Sequence, residues 1–198
     1  MSVISDLYNQ IERCQDCDLA KHRTRVVPGE GPEKVEILFI GEAPGWHEDQ
    51  QGRPFVGPAG QFLEQLLGSI HLRREQVYIA NVIKCRPPAN RDPLPGEIQA
   101  CSKWLDLQIE LLRPKIIVTL GRYSMAKYFP NEIISKIHGK AKYIDTITCY
   151  PMYHPAAALH QGNLRKIIEA DVLKIPGLLI EVNKIEGIQP ESRQLNLF

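Results

Sequence analysis

Three short, mostly apolar runs punctuate the chain: VEILFIG at 35–41, VYIANVI at 77–83 and KIIVTLG at 115–121. Runs of that length, two of them closed by Gly, predict strands buried on both faces. Between them the apolar spacing changes to that of helices. The stretch 58–67 opens with Pro in its first turn, where the missing N–H does no harm, and 95–112 lines Ile98, Cys101, Leu105, Ile109 and Leu112 along one stripe. A shorter helix is expected over 122–129, strands over 140–145 and 146–153, and a last helix over 164–180, strained at Pro176. At the start, Ile4, Leu7, Tyr8 and Ile11 share one face of a helix that Ser2 can cap and that ends near Cys14. Strands alternating with helices imply an α/β fold with a mostly parallel sheet covered on both sides. One domain over 1–182 and a polar tail over 183–198 follow. In such sheets the chemistry sits in loops beyond the C-terminal strand ends, here GEAPG after the first strand, 81–85 at the second, and YHP at the last.

Composition narrows the class. The 198 residues carry 24 Lys+Arg against 23 Asp+Glu, a net charge of +1, and 43% hydrophobic residues. These totals suit one domain with a sizeable core and exclude intrinsic disorder. No stretch approaches the roughly 18 apolar residues of a membrane span, and the first residues alternate polar and apolar, unlike a secretory signal. A soluble, cytoplasmic protein is expected. Any contact with DNA must come from local basic clusters rather than a global field. The chain has five cysteines, an odd number without an export signal, which argues against a disulfide framework. Cys149 reads as a buried strand residue. Cys14 and Cys17 form C-x-x-C, with Cys85 and Cys101 following after 67 and 15 further residues. That spacing is not a compact zinc ribbon, and four thiolates serve zinc and iron–sulfur clusters alike.

The first loop packs polar and aromatic residues onto a stiff turn: Gly41, Glu42 and Ala43, then Glu48, Asp49, Arg53 and Phe55. Its glycine spacing is not the dinucleotide fingerprint, and no helix is expected to begin at once. A tight strand-to-helix turn, with Glu48 and Asp49 as a solvated charge pair, is the plain alternative.

GEAPGWHEDQQGRPFVGPAG, followed by NVIKCRPP and later YHP, resembles the family 4 uracil-DNA glycosylases, which carry an iron–sulfur cluster. The likeness runs from about Cys14 to the last helix, with several motifs in order and the cysteines interleaved. It implies a three-layer α/β/α sandwich with a parallel four-stranded sheet, and hydrolysis of the bond joining uracil to deoxyribose in DNA. It also implies that Cys14, Cys17, Cys85 and Cys101 hold a 4Fe-4S cluster of structural role.

The residues make chemical sense of that activity. A base must leave the duplex stack before it can be attacked. Phe55 can stack on the flipped pyrimidine within a pocket floored by Gly41 and Ala43. Asn81 closes a strand, and its carboxamide offers one donor and one acceptor, matching uracil O4 and N3–H and mismatching cytosine. His154, before Pro155, is assigned to O2, where charge develops on the leaving base. The family often has Ser where Ala156 stands, which removes a phosphate contact. Leu159 is a candidate wedge for the vacated stack. Related glycosylases place Asp where Ala43 stands, so the water-orienting carboxylate falls to Glu42 first and Glu48 second; Glu48 also suits a place near uracil C5. Arg53, Lys84 and Arg86, with Lys21, Arg23, Arg25 and Arg91, are expected to meet phosphates.

Two rivals are weighed. A non-catalytic, metal-stabilised DNA- or nucleotide-binding protein explains the cysteines and basic rim but not the set Phe55, Asn81 and His154. A covalent uracil-binding relative has a basic loop ending in His, for which SKIHGKAK is the nearest stretch but lacks the Arg-rich insertion. The enzyme is expected to act as a monomer, associated with the nucleoid through DNA. Finally, the terminal Gln194, Leu195, Leu197 and Phe198 resemble the Q-L-x-L-F peptide with which replication proteins grip a sliding clamp.

Overall fold

The computed structural model describes residues 3–188; Ser2 and the terminal QLNLF lie outside them. Helix α1 (Val3–Glu12) buries Leu7 and Ile11 and stops short of Cys14. Strand β1 (Ile37–Gly41) follows, then α2 (Trp46–Gln51), α3 (Pro58–Ser69), β2 (Tyr78–Asn81), α4 (Pro95–Leu112) and β3 (Ile116–Leu120). Beyond them come α5 (Arg122–Ala126), α6 (Ile134–Ile137), β4 (Lys142–Ile144), β5 (Ile147–Met152), α7 (Pro155–His160), α8 (Gly162–Val172) and α9 (Ile175–Ile188).

The strands form one sheet in the order β2-β1-β3-β5-β4. The first four are parallel, as expected, and β4 adds an antiparallel edge, making five strands rather than four. Alternation along β1 sends Leu38 and Ile40 into one core with α1 and α4, and Ile37 and Phe39 into the other with α3 and α8. Each such side chain, fully removed from water, contributes about 1.5–3 kcal/mol. All five residues of β1 and of β3 are buried, so their largely apolar runs reflect a sheet covered on both sides.

Two expected elements differ. The last helix is two helices, because Pro176 has no N–H to give and its ring would strike the carbonyl of Val172; α8 ends at that residue and α9 starts with Pro176 in its first turn. A helix does begin directly after the GEAPG loop: Gly45 caps α2, and the Glu48 side chain reaches back to the Gly45 N–H. Helix α9 runs through Val182 to Ile188, past the expected domain boundary.

Candidate active site

Parallel strands end on the same side, so β1 delivers Gly41 and Glu42 beside Asn81 at the end of β2. Backbone bonds from Val82 N to Gly41 O and from Ile83 N to Glu42 O zip the two strand ends together. The β5–α7 junction brings in His154. A cavity of about 290 Å³ opens there, lined among others by Glu42, Ala43, Glu48, Phe55, Asn81 and His154. It thus gathers most of the residues expected at the site. Such a volume is near the lower end of the roughly 300–1,000 Å³ usual for small ligands, suited to one base and its sugar.

Phe55 is buried, with a left-handed backbone (φ +51°), and its ring lies 5.5 Å from that of His154. Asn81 is 2% exposed, and its Oδ1 has no hydrogen-bond partner among the described residues. A buried amide oxygen without a partner costs stability unless a ligand donor meets it.

His154 caps α7, its Nδ1 accepting from Ala156 N at 3.1 Å. That bond places the proton of the neutral ring on Nε2, leaving an N–H free to donate. Burial pulls its pKa down to about 4, against a weaker opposing pull from Glu48. The imidazole is therefore neutral at physiological pH.

The two candidate carboxylates differ in kind. Burial, reinforced by repulsion from Asp92 and offset in part by Arg122, lifts Glu42 to about 7. Asp92 and Arg122 form an ion pair of their own. Glu48, by contrast, is engaged through both oxygens: Oε1 accepts from Val56 N (2.9 Å) and Gly57 N (2.8 Å), and Oε2 from Gly45 N (3.1 Å). It staples the GEAPG loop to the segment bearing Phe55 while still lining the cavity. Asp49 is not solvated either; it is buried and accepts from Thr24 N at 2.9 Å.

The expected contact of Lys84 with phosphate is corrected. Its side chain is 1% exposed, with Nζ donating to Asn81 O (2.9 Å) and Gln108 Oε1 (2.6 Å), so it supports the strand end and cannot reach a phosphate. Burial draws its pKa down to about 8. Arg53 pairs with Glu30 at 2.6 Å while remaining half exposed, and Arg86 donates to Asn90 Oδ1 at 2.7 Å. Arg91 lines the cavity but is forked onto Glu97 (2.6 and 2.9 Å). Leu159 is 50% exposed on α7, as a wedge requires.

The four cysteines of the motif line a second, mostly apolar cavity with Ile11, Val26 and Trp104. Three of the sulfurs already receive donors: Cys14 from Trp104 Nε1 (3.3 Å), Cys85 from Arg23 Nη1 (3.1 Å) and Cys101 from Lys84 N (3.3 Å). Four thiols around one cavity with N–H groups aimed at sulfur fit a cluster bound by thiolates. Among the described residues no group of three or more His, Cys, Asp or Glu is arranged to hold a single metal ion. Cys149 lies apart, fully buried on β5. His138, of the SKIHGKAK stretch, holds Asp171 Oδ2 through Nδ1 at 2.6 Å and stacks against Tyr153.

Sequence reasoning missed the supporting residues. Nothing in the local pattern marks Glu30 or Arg74, which act across 44 positions. Glu97 did carry a signal, the Leu-Pro-Gly-Glu start of a capped helix.

A parallel sheet with these loops at its carboxyl ends, and a cavity made from an aromatic, an amide and a neutral imidazole, define a base-binding α/β protein. The family model for the uracil DNA glycosylase superfamily matches residues 28–172. The chain is 50% identical over 191 residues to the type-4 uracil-DNA glycosylase of Sulfurisphaera tokodaii, covering 91% of this chain and 86% of that protein. It is 46% identical over 185 residues to the one from Archaeoglobus fulgidus (88% and 92% covered) and 40% over 179 residues to the one from Thermotoga maritima (88% and 92%). The chain belongs to the type-4 uracil-DNA glycosylases of that superfamily.

Proposed function

We propose that this protein is a DNA-repair glycosylase that flips uracil from DNA and hydrolyses its N-glycosidic bond with water, leaving an abasic site. The observation that carries this reading is the meeting of Phe55, Asn81, His154 and Glu42 around one cavity, with Asn81 Oδ1 awaiting a donor. Phe55 covers a face of the flipped base. Asn81 Oδ1 accepts from N3–H while its amide N–H donates to O4, a pattern that cytosine reverses. Gly41 and Ala43 keep the floor of the cavity low.

Bond breaking places negative charge on uracil, largely at O2, and positive charge on the sugar. His154 donates from Nε2 to O2; because the ring is neutral, it stabilises charge without delivering a proton. Glu42, once ionised, orients water toward the sugar carbon and stabilises the positive charge there. No lysine occupies a motif position suited to a lyase step, so the enzyme is monofunctional. Leu159 fills the gap left in the stack, and Arg53 and Arg86 approach phosphates by exchanging present partners for them.

Cys14, Cys17, Cys85 and Cys101 would hold a 4Fe-4S cluster, which takes no part in the hydrolysis and ties the N-terminal segment to the Asn81 loop and to α4. The residues 194–198 serve as a clamp-binding peptide, raising the local concentration of enzyme at replicating DNA. The enzyme works as a cytoplasmic monomer at the nucleoid. Among the described residues no helix is long and apolar enough to cross a membrane.

Detection of free uracil released from an oligonucleotide tests the reading, with borohydride added in a parallel reaction. Released uracil without a trapped protein–DNA adduct supports it; a trapped adduct overturns the monofunctional step, and no release overturns the activity.

A further inference from the structure

Phe55 poses a problem that its own neighbourhood must solve. A left-handed backbone at a bulky aromatic residue persists only where the surroundings over-determine it. Its φ is +51°, and the carbonyl is packed so closely on Gly60 that a β-carbon there would lie 1.9 Å from Phe55 O. Glu48 holds the following N–H groups, of Val56 and Gly57. The carbonyls on both sides of Phe55 are held by Arg74, whose Nη1 donates to Phe55 O at 2.8 Å and whose Nη2 donates to Pro54 O.

Arg74 is itself fixed. Its side chain is 8% exposed, and Nη2 meets Glu30 Oε2 at 3.0 Å. Glu30 in turn is bridged to β2 by two backbone bonds, Glu30 N to Ile79 O (2.9 Å) and Ile79 N to Glu30 O (2.8 Å). Ile79 lies two positions before Asn81 on that strand. A continuous path of hydrogen bonds therefore runs from the strand bearing Asn81, through Glu30 and Arg74, to the backbone of Phe55. Arg74 does not line the cavity and takes no part in the chemistry described above.

We propose that Arg74 is a positioning residue for uracil recognition, registering the ring that covers the base against the amide that reads its edge. The inference rests on the proposed uracil-excising function. A planar fork can grip two successive carbonyls and a carboxylate together, whereas a lysine ammonium keeps the charge but not that geometry.

The test compares wild type, Arg74→Lys, Phe55→Ala and the double variant. Three quantities are read: single-turnover excision rate, inhibition by free uracil, and thermal midpoint. Arg74→Lys should keep a midpoint near wild type, weaken uracil inhibition about tenfold and slow excision roughly 10- to 100-fold, the scale of a small misplacement. In the double variant the uracil-inhibition loss should match that of Phe55→Ala alone, because both changes remove one interaction. Wild-type inhibition and rate in Arg74→Lys, a loss that adds in full to that of Phe55→Ala, or losses that follow the thermal midpoint alone would overturn the proposal. A wild-type enzyme that neither releases uracil nor is inhibited by it would instead overturn the functional reading.

Discussion

Gly41 and Asn81 are partners in the parallel register of β1 and β2, and a β-carbon on Gly41 would lie 2.4 Å from Asn81 Oδ1. The same β-carbon would come within 2.6 Å of the Phe55 ring. Glycine at 41 is therefore required for space, not for backbone freedom. Gly41→Ala should cut uracil excision by about 10²-fold, the cost of displacing a positioned group, while circular dichroism reports an intact fold. Unchanged excision by this variant would mean that the base binds elsewhere.

The proposed role of Glu42 makes excision depend on pH. With burial holding its pKa near 7, the ionised fraction, and the single-turnover rate with it, should rise through neutrality and level off above pH 8. Glu42→Gln should be slower by about 10²–10⁴-fold and lack that rise. A pH–rate profile of both proteins checks this. A Gln variant that keeps the wild-type rise would assign it to another group.

His154 bears on stability and, in the proposed mechanism, on rate. Its pKa of about 4 lies below the unfolded value of 6.5, so between the two the unfolded chain binds more protons. This contribution to stability is complete above pH 6.5 and is lost as the pH falls through 4. His154→Ala should thus lose less stability at pH 4 than at pH 7.5, measured by urea denaturation. Its excision rate should fall about 10²–10³-fold, as for removal of an oxyanion donor.

For the cysteines, anaerobic protein should be brown and hold about four irons and four sulfides per chain. Replacing Cys14, Cys17, Cys85 or Cys101 by Ser should bleach it, while Cys149→Ala, on the far strand, should not. Stoichiometric zinc without iron would contradict the cluster.

Deletion of 194–198 should leave excision on short oligonucleotides unchanged and abolish binding to the host's sliding clamp in a pull-down. Equal binding by both proteins, or none by either, would contradict the tail's role.

The elements and most of the cavity could be read from sequence because they depend on local pattern. The run that ends at Gly41 and the one that contains Asn81 are mostly apolar for the same reason that both strands are buried throughout. His154 reaches the cavity from the β5–α7 junction, whereas Phe55 reaches it from the loop between α2 and α3, well beyond the end of β1. What escaped was long-range pairing. Lys84 stands among basic residues near Cys85 and looks like a phosphate contact, yet a Gln on α4, 24 positions on, receives its ammonium. Glu48 looks free until the fold brings Val56 and Gly57 N–H groups onto it. The break at Pro176 was visible only as strain, because composition does not say whether a helix bends or stops there.

The most direct measurement uses two oligonucleotides that differ only in one uracil or cytosine, incubated with wild type and with Asn81→Asp, treated with alkali and resolved by length. Wild type should cut only the uracil strand, at the uracil. Asn81→Asp should lose that preference, because the carboxyl no longer offers an amide's fixed donor and acceptor. An intact uracil strand with wild type, or wild-type rate and preference in Asn81→Asp, would contradict the account.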